Sequence, residues 1–335
     1  FFALSFSPSN SFFEMINYLS IFIFILLIKM VFYNERHVYR FYYFITLLGA
    51  IHAFLAVLIY LNGNPDILFL DNSSYRKSST GFFTNRTVFS IFLLFCLICG
   101  LEYIKNVDIY KYYKKKDNFF NKIYVRIFII FITIGIITSF SKIGNFLMLL
   151  TVFLYLINNL YAKKNINKIF TLILIFIILL DIFVMGYFFG GERLVERYSF
   201  LKEDLNIDDN ALFISRLEII NFSISQIKKY LIFGYGSGGF ETIFKLKFIN
   251  NTSFYANHAH SDLFEFIGEF GILGFILFIL SFYKIFLLKK NYNTQFVIFM
   301  ISGLVIVLFD FSLHIPLIQI LFVTIITLSL IKKNN

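Results

Sequence analysis

The sequence has no tryptophan, only two cysteines and few charges: 15% of its 335 residues are Asp, Glu, Lys or Arg. With 59% hydrophobic residues, a soluble chain this poor in charge would aggregate, so a water-soluble domain is excluded and a polytopic membrane protein is expected. Cys96 and Cys99 both fall inside an apolar run and staple no loop. A C-x-x-C pair at lipid depth with no partner ligands reads as core packing, not as a redox or metal motif. The missing tryptophan accompanies an excess of phenylalanine (49) and abundant Ile, Lys, Asn and Tyr, residues that share AT-rich codons. The aromatic content therefore reads as genome bias, not as a ligand-stacking surface. Barrel-strand alternation, internal repeats and low-complexity linkers are absent too. So is a complete signal peptide, because FFALSFSPSNSFF forms neither a leader nor a clear span. The chain opens at Phe1 with no Met, and one or more upstream helices are expected.

What is present is a series of apolar runs: Ile16–Phe32, Phe41–Leu61, Thr87–Ile104, Ile123–Phe140, Ile143–Tyr161, Ile169–Gly190, Leu263–Leu287, Gln295–Ser312 and Ile315–Ile331. Most approach the ~20 residues that a hydrocarbon core of ~30 Å requires at helical rise. Backbone groups in lipid must be satisfied internally, so helices are expected: an all-α, polytopic transmembrane bundle of about nine spans.

The connections divide by charge. Asn34–Arg40, Lys105–Lys122, Lys163–Lys168, Lys284–Thr294 and Lys332–Asn335 are short and mostly basic. Asn62–Arg86, the tight Ser139–Lys142 turn, Gly191–Asp262 and the Asp310–His314 turn form the other set. The positive-inside rule places the first set in the cytoplasm and the second outside, consistently across all nine runs. The net charge of +10 is thus a topology signal, and no nucleic-acid partner is expected. One membrane domain, 1–335, with an extracytoplasmic insertion at 191–262, is the expected organisation.

Within the insertion, Phe213, Leu217, Ile220, Ile224, Ile227 and Leu231 recur every three or four residues, the pattern of an amphipathic helix. Such a helix would lie on the outer membrane surface or cap the bundle. It is expected to end at Gly234-Tyr-Gly236-Ser-Gly238-Gly239, a run that fits G-x-G-x-x-G but lacks the strand and βαβ context of a dinucleotide site. A flexible turn, or a close backbone approach to an anion, fits it better.

The ionisable residues concentrate in Asn257–Phe275, NHAHSDLFEFIGEFGILGF, where the polar loop re-enters an apolar run. Charge at such a boundary is costly without a function. His258 and His260 would point about 200° apart on a helix but share a face, with Asp262, in an extended segment. A zinc site is conceivable there, but no strong ligand spacing is present and no metal is expected. A histidine acting as general base is the better reading. Asp262, Glu265 and Glu269 follow at helical spacing as one acidic stripe. Arg86, Lys142 and Arg216 are the outward cations suited to a pyrophosphate. Lys142 runs against the topology rule and gains weight for it. Arg193 and Arg197, interleaved with Glu192 and Glu196, read as a solvated helical face. His52 and Asp181 are polar residues within spans and weak candidates; His314, at an outer boundary, is a stronger one.

Seven stretches, in order, resemble the O-antigen ligase and O-antigen polymerase superfamily of bacterial envelope glycosyltransferases. They are Gly81-Phe-Phe-Thr-Asn85-Arg86, Thr138-Ser-Phe-Ser141-Lys142-Ile-Gly144, Ser215-Arg216-Leu-Glu and Phe233-Gly234-Tyr-Gly236-Ser-Gly-Gly-Phe240. His258-Ala-His260-Ser-Asp262, Glu269-Phe-Gly271-Ile-Leu-Gly274 and Asp310-Phe-Ser-Leu-His314-Ile-Pro316 complete the set. The resemblance implies a GT-C-like bundle with a large periplasmic loop between late helices, in the bacterial inner membrane. It implies a cofactor-free, metal-independent, inverting transfer of a glycan from an undecaprenyl-pyrophosphate donor to a hydroxyl, on lipid A-core or on a growing glycan. His260 matches the family histidine, as base or acceptor-positioning group, with Asp262 or Glu265 orienting the acceptor side. Arg216 matches the loop arginine that holds pyrophosphate, and Arg86 an earlier arginine; His258, Glu265 and His314 would support them. Ser261 stands where Asn is usual, and Lys142 where Arg is frequent, which keeps charge but loses the bidentate fork. Ligase and polymerase are not separated by these motifs. A protein O-oligosaccharyltransferase, or a transporter or flippase of lipid-linked sugars, are the alternative readings.

Overall fold

The computed structural model describes residues 5–66, 77–106, 115–161, 167–188, 215–248, 255–288 and 294–330. Among them are eleven α-helices and no strands. They are α1 (Pro8–Val31), α2 (Glu35–Leu61), α3 (Arg86–Asn106), α4 (Lys115–Thr138), α5 (Lys142–Tyr161) and α6 (Lys168–Phe183). After a π turn at Val184–Phe188 come α7 (Arg216–Lys229), α8 (Phe240–Lys247), α9 (Asp262–Leu288), α10 (Thr294–Phe309) and α11 (Pro316–Leu330). Seven helices are long and apolar enough to cross a membrane: α1 to α5, Lys168–Gly186 and Asp262–Lys284; α10 and α11 are apolar but shorter. Within the described residues, the main part of each of the nine expected runs is helical. The first begins at Pro8, not Ile16, because the preceding S-P-S-N-S-F-F continues the helix. Arg193, Arg197 and Phe213 lie outside the described residues.

The chain forms two compact units. One comprises 28–198, 293–302 and 324–335. Within it α3 is buried almost all round, as an all-apolar helix in a bundle interior should be. Small residues let its neighbours approach. A Cβ on Gly49 of α2 or Gly135 of α4 would run into Cys96 and Leu93 of α3, and one on Gly144 of α5 would overlap Ser90. Two buried tyrosines inside this unit find partners: the Tyr42 hydroxyl donates to Gln295 (2.8 Å), and the Tyr155 hydroxyl to Glu102 (3.3 Å). His52 packs among Phe82, Phe83 and Phe92 with ring centroids 5.4–5.8 Å apart, the surroundings of a core residue.

The other unit comprises 1–27, 199–292 and 303–323. Its α7 starts with a capping box: the Ser215 hydroxyl accepts from the Glu218 N–H, and the Glu218 carboxylate accepts from the Ser215 N–H (2.7 Å). The buried face of α7 carries Ile219, Phe222, Ser223 and Gln226, about one position round from the expected stripe. That face packs with Phe240, Ile243, Phe244 and Tyr235, whereas Leu217, Ile220, Ile224 and Ile227 are half-buried. The helix therefore packs into a protein core by a face that hydrophobic periodicity alone did not select.

Helix α9 is broken. Gly271 has φ 68° and ψ −177°, a conformation open essentially to glycine alone. The break strands backbone groups on either side, and residues 231–236, reaching into the glycine run, take them up. Ile272 and Leu273 N–H donate to Leu231 and Ile232 carbonyls (2.8 and 3.3 Å). Tyr235 and Gly236 N–H donate to Gly268 and Glu269 carbonyls (2.9 and 3.1 Å). Irregular backbone within a span is tolerable only when enclosed by protein in this way. The glycine run thus has a packing reason: a Cβ on Gly234 would overlap the Glu269 carbonyl, and one on Gly236 would overlap Ser5. Its close backbone approach is to α9 and to the N-terminal segment, where Phe6 N–H donates to the Tyr235 carbonyl (3.0 Å) and Ser11 to the Ser237 carbonyl (2.6 Å).

Candidate active site

The stretch 257–269 enters α9 at Asp262, whose N–H donates to the Asp310 carbonyl (3.0 Å), joining the helix start to the turn before α11. Glu265, one turn in, accepts from the Ala259 N–H (2.8 Å) and meets His258 Nδ1 at 3.0 Å. Asp262 bonds His314 Nδ1 in the 3₁₀ turn Ser312–His314 and accepts from Leu313 N–H (3.4 Å). Asp262, Glu265 and Glu269 are all buried, on one face of the first two turns. Asp262 pairs with His314 and Glu265 with His258, while Glu265 also lies 3.5 Å from His314, because the 3₁₀ turn brings His314 to the start of α9.

The two histidines of the H-A-H run are parted by an aromatic ring. Phe311 stacks on His258 (centroids 5.1 Å, planes 14° apart) and meets His260 edge-on at 5.2 Å. His260 adopts φ +55°, a left-handed conformation that is rare for a side-chain-bearing residue and marks functional sites when packing enforces it. Its Nδ1 is buried with no hydrogen-bond partner among the described residues. Burial lowers the imidazole pKa to about 4, aided by the nearby Arg216 and His258 and opposed by Glu265, so the ring is neutral at pH 7. Arg216 is the exposed first residue of α7. A cation there opposes the positive end of the helix dipole, while both attract an anion. Asp310, held by Ser312, has its pKa raised by burial against the pull of Ser312 and Arg216.

His314 behaves oppositely to His260. Burial alone would lower it, but the bond to Asp262 and the charges of Glu265, Asp262 and Glu269 prevail and hold it up at about 9. His258 and His314, 5.0 Å apart between ring centroids, line a cavity of about 260 Å³ with Glu14, Glu241, Glu265 and Glu269. His258, Glu265 and His314 each offer a potential ligand atom, and these atoms all lie within 4.8 Å of one another.

Arg86 and Lys142 belong to the other unit, where they open α3 and α5. Ser90, four residues after Arg86, and Gly144, two after Lys142, are in close contact, so the two cations stand at the same end of that unit. Asp181 is buried at the end of α6, ahead of the π turn. Residues that sequence reasoning did not select are Phe311, Asp310, Glu14 and Glu241. Phe311 and Asp310 lie in a quoted motif with no spacing signal, and Glu14 comes from a part of the chain more than 200 residues from the rest.

No curated protein and no solved structure matches the chain. Residues 127–279 match the family described as O-Antigen ligase. The matched stretch runs from α4 into α9 and includes Lys142, Arg216, His258, His260, Asp262, Glu265 and Glu269; Arg86, Asp310 and His314 lie outside it. The match supports a membrane glycosyltransferase-like role in surface-polysaccharide biosynthesis. The match covers just under half of the chain; with the all-helical fold and seven candidate spans it supports the resemblance to the O-antigen ligase/polymerase superfamily.

Proposed function

We propose that this protein transfers a glycan from an undecaprenyl-pyrophosphate donor to a hydroxyl acceptor at the periplasmic face of the bacterial inner membrane. The observation that carries this reading is His260: buried, left-handed in backbone, with an unpaired ring nitrogen and the Arg216 guanidinium acting on it. In the step, the acceptor O–H gives its proton to His260 while its oxygen attacks the anomeric carbon. The bond from that carbon to the pyrophosphate oxygen breaks from the opposite face, which inverts the centre. Arg216, with the amide end of α7 behind it, stabilises the charge on the departing diphosphate. Assignment of Arg86 and Lys142 to the same anion rests on the resemblance alone. Asp262 acts through His314 as a positioning residue, and Glu265 likewise through His258.

A broken helix is also a device of transporters. Here four of the backbone groups that the break exposes are occupied by residues 231–236, which leaves them closed to a substrate. The test is transfer by purified protein in detergent, supplied with lipid-pyrophosphate glycan. His260→Ala is expected to reduce turnover about 10²–10⁴-fold, the usual worth of a general base. Arg216→Ala is expected to be equally impaired, with both variants inserted normally. Wild-type turnover in His260→Ala would remove that residue from the mechanism. In cells, long glycan stranded on the carrier lipid after deletion identifies a ligase, and single repeat units transferred without long chains identify a polymerase.

A further inference from the structure

We propose that His258, Glu265 and His314 form a binding site for one divalent transition-metal ion, beside the transfer site and facing the acidic cavity. Glu265 Oε1 lies 3.0 Å from His258 Nδ1 and 3.5 Å from His314 Nε2. Ligand atoms around a tetrahedral ion with bonds of ~2.0–2.2 Å are roughly 3.4 Å apart, a value these two separations bracket. The three candidate ligand atoms all lie within 4.8 Å of one another, and the wider gap between the two imidazoles would have to narrow on binding.

The surroundings are those of a metal centre in two further respects. A ligating histidine characteristically gives its other ring N–H to a carboxylate, which fixes the tautomer and the ring direction. His314 does this: Nδ1 is bonded to Asp262, and Nε2 is the nitrogen turned to Glu265. Glu265 is held from behind by the Ala259 N–H at 2.8 Å, and His258 is held flat against Phe311. The second respect is charge. Glu14, Glu241, Glu265 and Glu269 line the cavity with no lysine or arginine among its lining residues. Glu265 is 3% exposed, and a bound cation would share with His314 the work of offsetting its buried charge.

Two imidazoles and one carboxylate select the zinc, cobalt, manganese or iron class and disfavour magnesium and calcium, which take oxygen donors. The positions left open face the cavity, where water or a hydroxyl-bearing ligand completes the coordination. Sequence spacing had set His258 with His260, but the structure puts Phe311 between those two rings. The three ligands instead come from the loop before α9, its first turn, and the 3₁₀ turn before α11.

The ion is not needed for the transfer proposed above, and its test is independent of activity. Full-length protein, purified in detergent through a tag without histidines, is stripped with EDTA, equilibrated with Zn²⁺ or Co²⁺ and desalted. Elemental analysis is expected to show about one ion per chain, with visible cobalt absorption typical of low coordination number. Asp262→Asn is expected to weaken binding about 10–100-fold and His314→Ala at least as much. His260→Ala retains the ion, since His260 lies on the other side of Phe311. Wild-type protein emerging with no bound Zn²⁺ or Co²⁺ overturns the proposal and leaves a hydrogen-bonded network only. Equal retention by wild type, His314→Ala and Asp262→Asn overturns it as adventitious binding. Metal-free wild type whose transfer activity is lost in His260→Ala refutes the ion and spares the transferase reading.

Discussion

Gly271→Ala probes the break in α9. At φ 68° and ψ −177° an alanine is strained by about 1–3 kcal/mol. Its Cβ also enters the space of the Ile232 carbonyl and the Gly234 N–H. Relief of that overlap separates the two backbones and costs the bonds from Ile272 and Leu273 to Leu231 and Ile232, each worth about 0.5–1.5 kcal/mol net. The sum is about 2–6 kcal/mol, which for a chain of this size lowers a thermal midpoint by about 3–9 °C. Circular dichroism of the helical signal in detergent reads this directly, and two controls divide the effect. Gly63→Ala meets nothing within 4 Å but has φ +83°, so it isolates backbone strain at about 1 kcal/mol. Gly186→Ala is free of both strain and overlap, and is expected to melt like wild type. If Gly271→Ala melts no lower than Gly63→Ala, the interlock between the broken helix and residues 231–236 contributes nothing, and the reasoning fails.

Two other outcomes are expected. Gly144→Ala forces a Cβ into Ser90 where α5 meets α3, so it should lower folded yield in detergent, and Ser90→Ala in the same chain should restore part of the loss. Additive losses in that double-mutant cycle would show that the contact is not the cause. Cys96 and Cys99 are fully buried, so a maleimide is expected to leave both unlabelled in the folded protein and to label both in SDS; rapid labelling without SDS would contradict the packing of α3.

The spans were legible because lipid imposes a length on any apolar run, and the main part of each run is helical. Which span sits inside the bundle was not legible. A helix facing lipid and a helix facing other helices are equally apolar, so α3 looks no different from α1 in composition. The break at Gly271 was hidden for a related reason: E-F-G-I-L-G continues an apolar run, and the groups that stabilise the break come from residues 231–236. Of the site, Arg216 and the cluster at 258–269 were visible as charge where charge is expensive. The sorting of partners was not, since it depends on Phe311 between the histidines and on His314 arriving from a later turn. The stripe on α7 misled because a half-buried face and a buried face differ by a single residue step.

The interlock at Gly271 bears on what α9 can be by itself. A span with a gap in its ladder and no partner would expose bare amide and carbonyl groups to hydrocarbon, at several kcal/mol for each. The break therefore belongs to the packed pair and not to α9 alone: the conformation at Gly271 and the segment at 231–236 stand or fall together.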